Sequence, residues 1–216
     1  WQQSEECHES EGFCEEESKN LHEKEGDEKT ECSVTSCDDC AVDDTQRSIF
    51  LSLYGGCGRV AKKATERGLH SVVIDLCDSS KNDLGKLQAE KEVRTLLGTR
   101  QVALLGIELP CNSWSIARRG NPPPLRDSHH FVLGLPHLGT KDKERVHNGN
   151  QQYRSAVRLI RSCLAFGIPG YLENPKSSRL WKTPGFIKLA KDPRIQLVHL
   201  DQCQYNCPYK KATALM

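Results

Sequence analysis

No apolar run in this 216-residue chain approaches the roughly 20 residues of a membrane span. The longest are short, strand-like pieces such as Val102–Leu105. A membrane-spanning helix is therefore excluded. No basic start followed by an apolar stretch opens the chain, so a secretory signal is not expected. Aromatics are only 6% of residues, there is one Met, and mean hydropathy is −0.60. That is polar for a globular domain, which points to a portion without a packed core.

Cysteine, by contrast, is plentiful. There are eleven, an odd number at uneven spacing. Without a secretory signal they read as reduced thiols, metal ligands or a nucleophile rather than a disulfide framework, and the chain is expected inside the cell. Charge is also present but unevenly placed. Residues 1–46 hold sixteen Asp/Glu against three Lys, a net −13; residues 47–216 hold thirteen acids against twenty-seven Lys/Arg, a net +14. The basic part suits a polyanionic partner, with nucleic acid the commonest. A solvated surface balanced by its own acidic segment is the plainer reading.

The chain divides at that charge boundary. Residues 1–46 are rich in Glu, Ser, Asp and Lys and read as a disordered acidic leader. Within it, Cys37-Asp-Asp-Cys40 has the spacing that lets two thiolates reach one Zn²⁺, although no second clean pair accompanies it. The start at Trp1 reads as a piece of a longer product. Residues 47–216 alternate strands and helices. Strands are expected at 48–54, 71–77, 101–109, 168–173 and 194–202, and helices at 59–67, 84–97, 151–166 and 184–190. The pattern predicts an α/β, Rossmann-like, mostly parallel sheet with helices on both faces, whose ligand sits at the carboxyl ends of the strands.

The informative motifs follow those strand ends. Tyr54-Gly55-Gly56-Cys57-Gly58 would make a tight turn open to a ligand, ahead of a helix N-terminus. Asp75 lies about 20 residues later, where an acid receives ribose hydroxyls or simply closes a turn. Asp83 could meet an adenine amino group or cap a helix. Pro110-Cys111-Asn112-Ser113-Trp114-Ser115 puts a cysteine at the sheet edge beside Arg118 and Arg119, whose charges would favour a thiolate nucleophile. A structural cysteine is the alternative. Glu173-Asn174 ends a later strand; it could hold a ring nitrogen and an exocyclic amine, or cap the turn at Pro175. Residues 204–211 read as a donor-rich, basic turn.

In this order, the motifs resemble those of DNA cytosine-5 methyltransferases, especially the divergent versions carried by retroelements. The resemblance covers residues 48–216, about three quarters of the chain. It implies an S-adenosylmethionine-binding sheet, with the cofactor at Tyr54, Gly55, Gly56, Gly58, Asp75, Asp83 and Pro110. It implies Cys111 as the nucleophile on carbon 6 of cytosine, Glu173 holding nitrogen 3, and Asn174 positioning the loop or the base. DNA, or RNA, would be the partner, contacted through Arg118, Arg119, Arg126 and Lys211, and a DNA-directed enzyme would be nuclear. Leu109 stands where the family has a second proline, and Pro175 where it has valine. The family's Gln-x-Arg-x-Arg would fall on Tyr209, Lys211 and Thr213, and its target-recognition part and closing strand would come after Met216. Two other readings stay open: another S-adenosylmethionine-dependent nucleic-acid methyltransferase, or a non-catalytic nucleic-acid-binding remnant of a mobile-element polyprotein.

Overall fold

The computed structural model describes residues 47–76, 79–116, 123–205 and 208–216. The acidic leader with Cys37 and Cys40, and also Cys77, Arg118 and Arg119, lie outside the described residues. Thirteen acids against twenty-seven bases still marks the part of the sequence that contains the fold.

The chain begins with β1 (Ile49–Leu53), α1 (Arg59–Thr65), β2 (His70–Ile74), α2 (Leu87–Gly98) and β3 (Val102–Glu108). It continues with α3 (Thr140–Phe166), β4 (Gly170–Pro175), α4 (Pro184–Leu189), β5 (Val198–Asp201) and β6 (Ala212–Leu215). The six strands form one sheet in the order β2-β1-β3-β4-β6-β5. The four strands β1 to β4 run parallel, and β6 lies antiparallel between β4 and β5. The mixed α/β expectation holds, with a mostly parallel sheet.

Burial explains the central strands. Phe50, Leu51 and Leu53 of β1 are wholly buried, as a strand covered on both faces requires. Alternation then assigns the faces. Leu51 and Leu53 stand in register with Leu105 and Ile107, and all four join the core with Val93 and Leu97 of α2 and Ala156 and Leu159 of α3. Ser71, one position out of phase, donates to the Ala61 carbonyl of α1, so α1 covers the other face. Glu90 of α2, 1% exposed, takes a two-pronged ion pair from Arg158 of α3 and fixes the packing of those helices.

Several boundaries differ from the sequence reading. α3 begins at Thr140, eleven residues before the expected start at 151. Its C-terminus stops at Gly167, whose φ of 61° suits glycine and whose N–H donates to the Cys163 carbonyl. The helix expected from 84 begins at Leu87, which is 73% exposed, while Leu84 before it is buried. The strand at 212–215 was not expected at all. Its four residues carry too little pattern to register alone, and pairing on both sides by β4 and β5 makes it a strand. No described helix is long and apolar enough to cross a membrane.

Candidate functional site at the carboxyl edge of the sheet

β1 is flanked by β2 on one side and β3 on the other, so the chain reverses its direction of growth between β1 and β3. Crevices at such reversals, outside the strand carboxyl ends, are where open α/β sheets take ligands. The residues singled out from sequence cluster along this edge. Gly55–Gly58 follow β1, Asp75 follows β2, Pro110 and Cys111 follow β3, and Glu173-Asn174 lie in the second half of β4.

The glycine turn has a defined shape. Tyr54, Gly56 and Gly58 all have positive φ, at 59°, 52° and 65°. A Cβ on Gly55 would lie 2.4 Å from Ser52 Oγ, so that position admits no side chain. Nothing lies within 4 Å of a Cβ built on Gly56, which leaves its outer surface open. The Gly56 N–H donates to Asp75 Oδ2 at 2.9 Å, so Asp75 and the turn are joined across the two strand ends. The Tyr54 hydroxyl is buried with no hydrogen-bond partner among the described residues. Burial, reinforced by the charges of Asp83, Glu90 and Asp75, pushes its pKa far above the ordinary phenol value. Asp83 is not the N-cap of α2, a position that Lys86 holds. Its Oδ1 accepts the Gly85 N–H at 3.0 Å and closes a turn ahead of α2.

The Pro-Cys turn is held from several directions. Cys111 is partly exposed, and its carbonyl accepts the N–H groups of Trp114 and Ser115 at 3.0 and 2.8 Å. Asn174, wholly buried, donates from Nδ2 to the Leu109 carbonyl at 2.7 Å. That bond ties β4 to the residue just before Pro110. Arg179, in the segment after β4, donates its backbone N–H to the Trp114 carbonyl and its guanidinium to the Ser115 carbonyl.

Glu173 is partly buried, and its Oε1 lies 3.1 Å from Lys211 Nζ. Lys211, expected on a phosphate backbone, is therefore the counter-charge of Glu173. A second carboxylate that sequence reading missed stands beside it. Glu108 of β3 is in register with Glu173 of β4, and in a parallel ladder such partners share a face. The Tyr171 hydroxyl donates to Glu108 Oε1 at 2.8 Å. Tyr171 reaches across β3 because Gly106 lies beneath it: a Cβ there would sit 2.6 Å from the Tyr171 oxygen. Burial raises the Glu108 pKa, the Tyr171 bond opposes this, and the charges of Glu173 and Asp75 add to the rise. The signal available in sequence was the acid two residues before the Pro-Cys pair.

Arg126 corrects an expectation. It is 0% exposed and has no surface to offer a phosphate. Its five N–H donors go to the Ser113 carbonyl and Oγ, the Val132 and Val146 carbonyls, and Asn150 Oδ1. Its guanidinium lies 3.5 Å from the centre of the Trp114 ring. Burial, with a smaller push from Arg179, lowers its pKa to about 9, which leaves it charged at neutral pH.

An apolar cavity of about 390 Å³ lies elsewhere, lined by Leu105, Ile107, Ile160, Cys163, Leu164 and Ile168 among others. None of the residues singled out from sequence lines it. Among the described residues no group of three His, Cys, Asp or Glu is arranged to hold a metal ion. Comparison of the chain with known protein families finds no matching family. Comparison with curated protein sequences finds no match either.

Proposed function

We propose that residues 47–216 form an S-adenosylmethionine-dependent methyltransferase-like domain acting on carbon 5 of cytosine in DNA through a cysteine adduct. The observation that carries this reading is the order of the strand ends. Along the edge β2-β1-β3-β4 stand, in turn, Asp75, the glycine turn, Cys111 and Glu173. The groups suited to a nucleoside cofactor are neighbours, and the groups suited to a base are neighbours next to them. The reversal point falls between the two pairs.

The cofactor pair fits such a ligand chemically. The open Gly56 and the Asp75 carboxylate offer close approach and an acceptor for ribose hydroxyls. S-adenosylmethionine, when bound, supplies an electrophilic methyl group. The protein must supply a nucleophilic carbon. Carbon 5 of cytosine is a weak nucleophile, and addition of the Cys111 thiolate at carbon 6 makes it enamine-like. Glu173 engages nitrogen 3 and the exocyclic amine, where charge develops during that addition. Asn174 acts on the chain: it holds the Leu109 carbonyl and hence the exit to Pro110 and Cys111. A base must leave its stack to enter such a site, and the net +14 of residues 47–216 suits a polyanionic strand.

Calorimetry with S-adenosylmethionine and trapping on DNA containing 5-fluorocytosine test the reading together. The cofactor should bind, and a covalent adduct should form that Cys111→Ser abolishes without weakening cofactor binding. Cofactor binding without an adduct would leave another nucleic-acid methyltransferase. Binding of DNA with no affinity for the cofactor would favour a non-catalytic remnant.

A further inference from the structure

We propose that Arg126 is a positioning residue for Cys111: it sets the nucleophile turn rather than touching substrate. The inference rests on the reading of Cys111 as the nucleophile. Residues 111–116 form one short turn at the sheet edge, in which the Cys111 carbonyl accepts the N–H groups of Trp114 and Ser115. Such a turn takes its position from what surrounds it. The Arg126 guanidinium supplies two bonds to the turn and a stacking contact with its Trp114. Nε and Nη2 both grip Ser113, at its carbonyl (3.1 Å) and its Oγ (3.0 Å), which fixes the backbone and side chain two residues after Cys111. The remaining donors reach the Val146 carbonyl and Asn150 Oδ1 of α3, and the Val132 carbonyl of the connecting loop. One planar fork thus references the turn to the longest helix. A lysine, with three rotatable donors on a point charge, cannot match five fixed acceptors.

The neighbours are shaped around this fork. Gly149 of α3 has no room for a side chain: a Cβ would lie 2.5 Å from Ser113 Oγ and 3.0 Å from Arg126 Nη2. Trp114, wholly buried, stacks on the guanidinium and meets the Tyr153 ring edge-on with centroids 5.9 Å apart. All five acceptors are neutral oxygens, so the charge is balanced by dipoles and a π face. Burying a cation this way is costly compared with an apolar side chain of similar volume. What the cation provides is direction: it aims three segments at once. Arg179 extends the frame, since its bonds to Trp114 and Ser115 link the turn to the segment that follows Glu173-Asn174.

The chain carries its own control for the test. Cys111 is partly exposed, whereas Cys163 is 5% exposed in the core, where burial raises its thiol pKa to about 12. Iodoacetamide labelling of the full chain, read by peptide mass spectrometry, reports the turn at Cys111 and the core at Cys163. In Arg126→Lys the Cys111 rate should change by about fivefold or more while Cys163 stays protected. Ser113→Ala, which removes a single acceptor, should shift Cys111 in the same direction by less, and decides the matter should Arg126→Lys fail to fold. In a methyl-transfer assay, Arg126→Lys should lower kcat by about 100-fold with little change in KM for DNA. Cys111 labelling unchanged in folded variants, or Cys163 opening in step with Cys111, overturns the proposal. A wild-type chain that forms no adduct on 5-fluorocytosine DNA overturns the nucleophile reading instead, and the labelling still reports whether Arg126 sets the turn.

Discussion

Asn174→Ala tests the link between β4 and the Pro110–Cys111 turn with a magnitude that follows from the structure. Asn174 is 0% exposed, and the only hydrogen bond of its side chain among the described residues is the 2.7 Å donation to the Leu109 carbonyl. Leu109 is itself 2% exposed, so water cannot replace the lost donor. Leaving a buried carbonyl without that donor costs about 1–3 kcal/mol. At about 2–4 °C per kcal/mol for a domain of this size, the melting temperature should fall by roughly 2–12 °C. Asn174→Asp keeps the shape but sets a carboxylate oxygen against the carbonyl oxygen in a site closed to water. It should melt lower than Asn174→Ala at neutral pH. Because burial favours the neutral carboxyl, which can donate again, that deficit should shrink as pH falls. Thermal melts followed by circular dichroism at several pH values, with Cys111 labelling alongside, measure all of this. If Asn174→Ala melts like the wild type with unchanged Cys111 labelling, the bond does not hold the Pro110–Cys111 exit. The account of Asn174 would then be wrong.

Asp75→Ala removes both the expected ribose acceptor and the partner of the Gly56 N–H, and should cost about 1–3 kcal/mol of S-adenosylmethionine binding; unchanged affinity by calorimetry would leave Asp75 as a turn acid. Glu108→Gln keeps the acceptor for Tyr171 and removes one of two in-register carboxylates, so it should stabilise the fold at neutral pH by up to about 1 kcal/mol. The sign follows from its raised folded pKa: the unfolded chain loses this proton first as pH rises, so the wild type loses stability above the unfolded value of about 4.3 and the advantage of the variant vanishes below it. Equal melts of the two proteins across pH 4–8 would mean that Glu108 is not strained by its surroundings. Removing residues 1–46, net −13, should tighten DNA binding at low salt, with a gain that fades as salt rises; weaker binding would make the leader itself a contact, as a zinc-bound Cys37–Cys40 pair could be.

Much of the scaffold was legible because strong periodicity and strand ends coincide. β1 and β3 are largely buried apolar runs, β2 is a half-buried one, and glycine or an acid marks where each stops. Once a parallel sheet is accepted, the carboxyl ends must share an edge, so Gly56, Asp75, Cys111 and Glu173 lie along one edge whatever the register; the strand order makes them neighbours. What sequence could not supply was the register itself. Only the pairing of Gly106 with Tyr171 and of Glu108 with Glu173 sets Tyr171 across β3 and brings the two carboxylates side by side. Nothing in the spacing of positions 108 and 173 announces that pairing.

The missed start of α3 has a more instructive cause. Asn148-Gly149-Asn150 reads as a turn, because all three residues are poor helix formers and Asn-Gly is a turn pair. The helix runs through them because Gly149 and Asn150 have tertiary work that overrides their local preference. Gly149 is bare so that Ser113, Trp114 and Arg126 can pack against the helix backbone. Asn150 accepts from Arg126 and donates to the Leu133 carbonyl. These residues are therefore where the helix receives the 111–116 turn. Arg126 was misread for a matching reason. A loop arginine in a basic chain reads as a phosphate contact unless its acceptors are known, and those acceptors lie 6 to 24 residues away. Both errors concern one cluster. Local propensity and charge counting fail together there because the cluster is built by contacts distant in sequence, which is what fixing the 111–116 turn at the edge of a sheet demands.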